Sequence, residues 1–371
     1  MANYNLPDIT FAEKDPATIE TEIVSQYEET AGVTLADADP RKKLLQAEVP
    51  IITGQRAVID RAAKQNLLAY ASDDFLDHLG VLVGTPRLKA AAAKTTERFT
   101  LSTVRSQPTT IAAGKRVTAG DNIFFVTITE GIIPAGQLSV DIKVECMETG
   151  TKGNGYEPGA LITLVDPIPY IDSVTNITAS EGGTDREEDD AYRDRIQQAP
   201  ERFSVAGPDG AYIYWAKTAS TNIVDVKPFS PSPGEVHICV LLAGGEIPGQ
   251  EILDDVLSIC SDKKIRPLTD HVSAVAPEQA EYDIDVQYWI SKQNESVAAR
   301  LRENVEASVQ TYRSWQKSAL GRDIDPSELI HLMKMAGASR VAVTAPLYQT
   351  LTDSQVAKDI TVNVNYGGID T

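Results

Sequence analysis

Near residue 88 the apolar residues of this chain change their period, and that change constrains the fold more than any other feature of the sequence. Before it, apolar side chains recur at helical spacing. Leu45, Ile52 and Ile59 stand seven positions apart, with Val49 and Ala63 on the adjoining row and Asn66 at the next seventh position. A seven-residue repeat keeps one seam of a helix turned toward a partner helix. After it, in Ser139-Val140-Asp141-Ile142-Lys143-Val144-Glu145-Cys146, polar and apolar residues alternate strictly, which marks a strand with one buried face. Separate blocks of the two patterns predict an α+β multidomain protein. At 371 residues the chain is also too long for one ordinary core.

The first block, 1–87, reads as a long-helix bundle. Asp15-Pro16 sets a capping side chain before a proline at the first helical position, and Ile19, Ile23, Val24 and Tyr27 follow at helical spacing until Gly32. Asp39-Pro40 repeats the signal and opens the helix that carries the seam. Pro50 has no backbone N–H and is expected to kink that helix or split it in two. The seam has two readings. It is an ordinary amphipathic stripe packed on its own domain, or it is a stripe between subunits. The flanking helices offer few aromatics with which to bury so long a stripe, which leans toward the second. His78 stands alone near the end of this block and reads as a capping or packing residue.

In 88–180, short runs at 99–104, 115–118, 123–129, 138–146 and 161–165 are divided by Gly, Pro and Asn. They predict a small β-sandwich or barrel-like domain, and Asn154-Gly155 fits a tight turn. Residues 181–221 read as a hinge and helical linker between folded regions. Thr184 or Asp185 can cap a helix whose first turn holds Glu187, Glu188, Asp189 and Asp190, where the helix dipole favours negative charge. Pro208 and Gly210 then break the chain before a second helix at 211–219. From 222 onward strands and helices alternate, with a capping box at Asp325-Pro326-Ser327-Glu328. Two ferredoxin-like α+β domains, 222–280 and 281–371, are expected.

The chemistry that such a chain could carry is mostly missing. Lys plus Arg is 34 against 53 for Asp plus Glu, a net charge of −19. That balance argues against a nucleic-acid binder, which needs clustered positive charge. His78, His237, His271 and His331 are scattered, with no second ligand at metal-binding spacing. Ala113-Gly114-Lys115-Arg116 lacks the earlier glycine and the hydroxyl of a phosphate loop. Ala243-Gly244-Gly245 reads as a turn, and no nucleophile elbow occurs. The acids at 185–190 lack calcium-loop spacing and read as a solvated helix start. Cys146, Cys239 and Cys260 are odd in number and far apart, so they read as buried small hydrophobes in a reducing compartment. The N-terminus lacks the basic and apolar regions of a signal peptide, and no apolar run approaches the ~20 residues of a membrane span. No catalytic, cofactor or metal residue is assigned.

Several motifs in order resemble one family. Asp39-Pro40-Arg41, Ala63-Lys64-Gln65-Asn66-Leu67-Leu68-Ala69-Tyr70-Ala71 and Gly84-Thr85-Pro86-Arg87 are similar to the N-terminal signature of the baseplate J-like proteins of contractile phage tails. Glu181-Gly182-Gly183-Thr184-Asp185 and Ala199-Pro200-Glu201-Arg202-Phe203-Ser204-Val205-Ala206-Gly207-Pro208 resemble its middle. Ser230-Pro231-Ser232-Pro233-Gly234 and Arg266-Pro267-Leu268-Thr269-Asp270 resemble its C-terminal part. The resemblance covers about 39–286. It implies a structural protein of the baseplate wedge, in which two copies join one copy of a second wedge protein through N-terminal helices. The C-terminal domains then contact neighbouring wedges and close a ring around the hub and spike, next to the sheath-proximal tail proteins. It implies assembly in the host bacterial cytoplasm, with no direct nucleic-acid or membrane contact. Carried onto this chain, Leu45, Val49, Ile52, Ile59 and Ala63 become the inter-subunit stripe. Gly182, Gly183, Gly207, Pro208 and Gly210 become a hinge, with a rigid turn as the alternative. The wedge of a contractile bacteriocin or injection particle fits equally. A receptor- or glycan-binding tail module on the β region, or a carboxylate-based glycosidase, remain competing readings.

Overall fold

The computed structural model describes residues 6–203 and 208–370. Internal packing divides the chain into two units, Met1–Arg87 with Glu188–Ala199, and Leu88–Glu187 with Pro200–Thr371.

The first unit is helical: α1 (Pro16–Ala31), α2 (Pro40–Lys64), α3 (Asp73–Leu82) and α4 (Asp189–Gln198). The capping signals act as read. Asp15 accepts the Thr18 N–H at 2.9 Å, Asp39 accepts the Arg41 N–H at 2.9 Å, and Gly32 ends α1 at φ 65°. The expected break at Pro50 is not made, because α2 runs through it as one helix. Pro50 is exposed and removes one N–H bond. Val49 beside it is buried, and Gln46 and Arg56 on either side bond Glu20 and Glu22 of α1 at 2.6 and 3.1 Å. These anchors hold both halves in line. α3 and α4 share a small core of Leu76, Tyr192 and Ile196. The Tyr192 hydroxyl donates to the Thr85 carbonyl at 2.7 Å, and Arg87 pairs with Asp77 and Asp189 at 2.6 and 2.7 Å. The cap of α4 falls at Glu188, not at Thr184 or Asp185. Thr184 is held instead by backbone pairing with Ala91. His78 is exposed on α3.

The second unit begins with β1 (Ala92–Leu101), β2 (Thr109–Ile111), β3 (Arg116–Thr118), β4 (Phe124–Thr127), β5 (Gly131–Ile133), β6 (Ser139–Thr149), β7 (Thr163–Leu164) and β8 (Ile171–Asn176). Six of these form one nearly closed, barrel-like antiparallel sheet in the order β7-β3-β4-β6-β1-β8, and β2 pairs with β5. Phe99, Phe125, Val117, Val144 and Leu161 fill the interior. Period-two burial along β6 follows the alternation read from the sequence, and β1 shows the same period.

The chain continues through α5 (Asp209–Lys217), β9 (Ile223–Phe229), β10 (Glu235–Leu242), α6 (Gln250–Cys260) and β11 (His271–Val275). It ends with β12 (Glu278–Ser291), α7 (Ala298–Gln316), α8 (Pro326–Met335), β13 (Arg340–Ala345) and β14 (Gln355–Asp370). Neither C-terminal sheet is ferredoxin-like. That order needs four antiparallel strands. Here each sheet has three, β11-β10-β9 and β13-β12-β14, and each contains one parallel pair. α7 and α8 follow one another with no strand between them, so the fourth strand has no sequence to form it. β10 is buried on both faces. Ile238, Val240 and Leu242 pack with α5 and α6, while Cys239 and Leu241 pack with Leu320 and Val356 of the last segment. The Leu320 N–H also bonds the Asp225 carboxylate at 2.9 Å. The expected linker is divided: α4 packs in the first unit, and α5 packs on β9 and α6 in the second. All three cysteines are buried and free, and burial pushes the Cys239 and Cys260 thiols up to about 12.

Candidate assembly surfaces

The α1–α2 hairpin has little core of its own. Of its apolar residues only Ile19 and Val49, with Leu35 in the connecting loop, are buried. Polar contacts do much of the remaining work. Asp60 is buried on α2 and accepts Lys14 Nζ at 2.7 Å and the Phe11 N–H at 2.8 Å. The Lys14 bond, with the Phe11 N–H, holds the Asp60 carboxyl down at about 2. A helix of 25 residues, roughly 37 Å long, therefore presents most of its circumference outward.

The outward face is apolar in part, and its row is not the one read from the sequence. Val49 is buried, and Leu45, Ile52 and Ala63 are half-buried within the chain; Ile59 is exposed. The exposed row lies one residue earlier. Leu44 at 64%, Ile51 at 63% and Val58 at 56% stand seven positions apart, with exposed Ala47 and Gly54 three residues after the first two and exposed Arg61 three after the third. Over the first two repeats large residues alternate with small ones, the pattern of a helix–helix seam. Of the five stripe residues, only Ile59 stands exposed beside this row. The sequence did hold the signal, since Leu44, Ile51 and Val58 share the period of Leu45, Ile52 and Ile59. What chooses between adjacent rows is the side on which α1 lies, fixed by the Glu20–Gln46 and Glu22–Arg56 contacts.

The hinge residues fall into three groups. Gly182, at φ 84°, has open space around its α-carbon. Gly183 is clamped: its N–H donates to Asn154 Oδ1 at 2.9 Å and its carbonyl accepts Asn154 Nδ2 at 2.8 Å. On either side Glu181 pairs with Lys94 and Thr184 with Ala91. Both backbone groups of Gly183 are thus held by one side chain, with paired backbone on each side. A Cβ on Gly183 would lie 2.5 Å from the Gly150 carbonyl oxygen, with backbone on the other side of the clash. Gly183→Ala is expected to cost about 2–4 kcal/mol, and Gly182→Ala about 1 kcal/mol of left-handed strain; thermal unfolding of the two variants checks the difference. Pro208 caps α5 and Gly210 lies in its first turn against Glu201. Gly207 lies outside the described residues.

Three of the five acids at 185–190 are engaged in separate contacts and not gathered around a site. Glu187 accepts the Leu88 N–H at 2.9 Å, Asp189 pairs with Arg87, and Asp190 pairs with Arg193. Among the described residues no group of three or more His, Cys, Asp or Glu side chains could hold a metal ion, and no helix is long and apolar enough to cross a membrane. Two buried acids, Asp60 and Glu97, were missed by sequence reading. Glu97, on β1 inside the barrel, is fully buried, and neither carboxyl oxygen has a hydrogen-bond partner. Burial pushes its pKa up to about 8. Its signal was its place in β1, at an inward position between Thr95 and Phe99.

Four family models match the chain in order: the Baseplate J-like N-terminal domain at 37–94, the barrel domain at 96–183, the central domain at 204–276 and the C-terminal domain at 282–365. Over 188 residues, 50% of this chain, the sequence is 32% identical to baseplate protein J of Escherichia phage P2, covering 61% of that protein. Over 112 residues, 29% of this chain, it is 30% identical to protein JayE of Escherichia coli K12, covering 42% of it. The chain thus spans less than two thirds of either curated relative. Among solved structures, a chain of the six-fold symmetrised cryo-EM baseplate of the anti-feeding prophage aligns with 91% of this chain and 90% of its own, at 14% identity and a TM-score of 0.39.

Proposed function

Because the chain belongs to the baseplate J-like family, we propose that it is a non-catalytic wedge component of a contractile-tail baseplate, joined to a second wedge protein through α2. Two copies of this chain meet one copy of that partner. The C-terminal domains then meet those of neighbouring wedges and close a ring around the hub and spike, beneath the sheath-proximal proteins. The particle is a phage tail or a related contractile bacteriocin or injection machine, assembled in the bacterial cytoplasm without direct nucleic-acid or membrane contact.

The observation that carries this reading is the exposed row Leu44, Ile51 and Val58 on a long helix with almost no intrachain core. Contiguous exposed apolar surface on an otherwise acidic chain marks a place of contact. Rearrangement on opening of the baseplate would act where the chain passes between its two units, at 87/88, 187/188 and 199/200, and at Pro208 and Gly210. The corner at Gly182 and Gly183 would move as part of the barrel.

Co-expression with the products of neighbouring tail genes tests the reading, with solution mass as the measurement. A 2:1 complex that needs residues 1–87 is the expected result. A monomer that ignores every tail protein would overturn it.

A further inference from the structure

Resting on the reading that copies of this chain meet through their C-terminal domains, we propose that the contact is β14 itself, paired antiparallel with β14 of a second copy about a two-fold axis at Val364. β14 hydrogen-bonds along one side only, parallel to β12, and no strand lies on its other side among the described residues. Such an edge leaves a row of backbone donors and acceptors open, and natural edges are guarded by charge, proline, shortness or bulges. The opposite edge of this sheet is guarded in that way. β13 has six residues, starts at Arg340 and stops before Pro346. β14 is not guarded by charge, proline or shortness. Residues 360–369, Ile-Thr-Val-Asn-Val-Asn-Tyr-Gly-Gly-Ile, carry no charge and no proline in a chain of net charge −19.

The irregularities of β14 identify the occupant. Its ladder to β12 slips twice: Tyr282 and Ile284 oppose Asp359 and Val362, and Tyr288 and Ile290 oppose Tyr366 and Ile369. Each slip inserts one extra residue into β14, as in a β-bulge. A regular strand laid on the open edge would lose register at both places. A second β14 turned about Val364 does not. Residues 359–362 of one copy then oppose 366–369 of the other, extra residue against extra residue, and register holds throughout. The same axis sets Lys358 against the second copy's Asp370, twice, so these two charged side chains of β14 beyond the slips are complementary, with Asp370 also paired to Arg340 of its own chain. Asn363 opposes Asn365 on that face. Val362 opposes Tyr366 on the helix-covered face, where both are half-buried at the margin of the core. The joint is isologous, the commonest form of self-association. The two β12 strands would stand about 14 Å apart, beyond the screening length of about 8–10 Å, so Glu281, Asp283 and Asp285 do not oppose it.

Sedimentation of the full chain tests this. Wild type is expected to dimerise. Asn363→Lys with Asn365→Lys puts like charges opposite each other twice and is expected to weaken the dimer about tenfold or more. Asn363→Asp with Asn365→Lys puts opposite charges there and is expected to restore it. Both positions are exposed, so the fold is left intact. Val364→Cys is expected to form a disulfide-linked dimer under mild oxidation, since directly opposed residues have the Cα spacing of a disulfide and the three native cysteines are buried. A monomeric wild type, a doubly lysine-substituted chain that dimerises as well as wild type, failure of the charge swap to restore pairing, or absence of the Val364→Cys cross-link would each overturn the proposal. If the dimer survives the lysine pair but is lost with Ile51→Glu and Val58→Glu, β14 is excluded and helix-mediated assembly stands.

Discussion

Exchanging Ile51 and Val58 for glutamate is expected to abolish wedge assembly while leaving thermal unfolding of the isolated chain almost unchanged. Both side chains are more than half exposed, so the folded chain loses little when they are replaced. In a helix interface each would bury its apolar surface, worth about 1.5–3 kcal/mol per side chain. Losing two such contacts weakens association by about 10² to 10⁴-fold, and burying two unpaired carboxylates weakens it further. Titration of the partner wedge protein by calorimetry reads this directly. Val49→Glu is the contrasting variant. Val49 is buried between α1 and α2, so its loss should appear first as a drop in stability of the hairpin. If the Ile51 and Val58 variant still binds its partner with wild-type affinity, α2 is not the contact.

Glu97→Gln is expected to stabilise the barrel, and to do so increasingly as pH rises. Glu97 lies on β1 opposite Ile142 of β6 and Asn176 of β8. The Asn176 amide cannot serve it. Its oxygen accepts the N–H groups of Gly159 and Leu161, and its nitrogen donates to the carbonyls of Tyr156, Glu157 and Thr178. With no partner for a carboxylate, burial raises the pKa from 4.5 to about 8. The folded chain therefore holds a proton that the unfolded chain has released. Relative to this group, stability is complete below about 4.5 and falls as pH rises toward about 8, then levels off. The slope is about 1.4 kcal/mol per pH unit at most. Urea unfolding should find wild type and variant alike near pH 5. The variant should be more stable at pH 8, by on the order of 3 kcal/mol. A difference that does not grow with pH would mean that Glu97 has found a partner for its charge.

Local signals were legible wherever a single residue decides them. Asp15, Gly32, Asp39 and Asp325 terminate helices where the sequence placed them, because a cap is chemistry between near neighbours. The alternation of β6 was legible for the same reason. Distant choices were not. Whether the row of Leu45 or the row of Leu44 faces outward depends on where α1 lies, and nothing within α2 records that. β8 was missed because four of the six residues of its sequence, Ile-Asp-Ser-Val-Thr-Asn, are polar; it is a strand because β1 supplies its ladder. The ferredoxin-like order failed on strand count, which local periodicity does not fix when two helices follow in succession. Pro50 was overestimated because its cost was weighed without the Gln46 and Arg56 contacts that flank it. Of the hinge glycines, Gly183 could not be told from a free turn by sequence, since its clamp is Asn154, twenty-nine residues away.

The two-sided burial of β10 has a mechanical consequence. A strand that is core to both C-terminal domains leaves no soft seam along which they could shear. To separate them, Cys239 and Leu241 must leave one packed layer while Ile238, Val240 and Leu242 stay in the other. Along β10, therefore, the two C-terminal layers are joined through one shared strand and not across a separable face. On the proposed wedge reading, a displacement delivered to one of these layers is expected to carry to the other through β10.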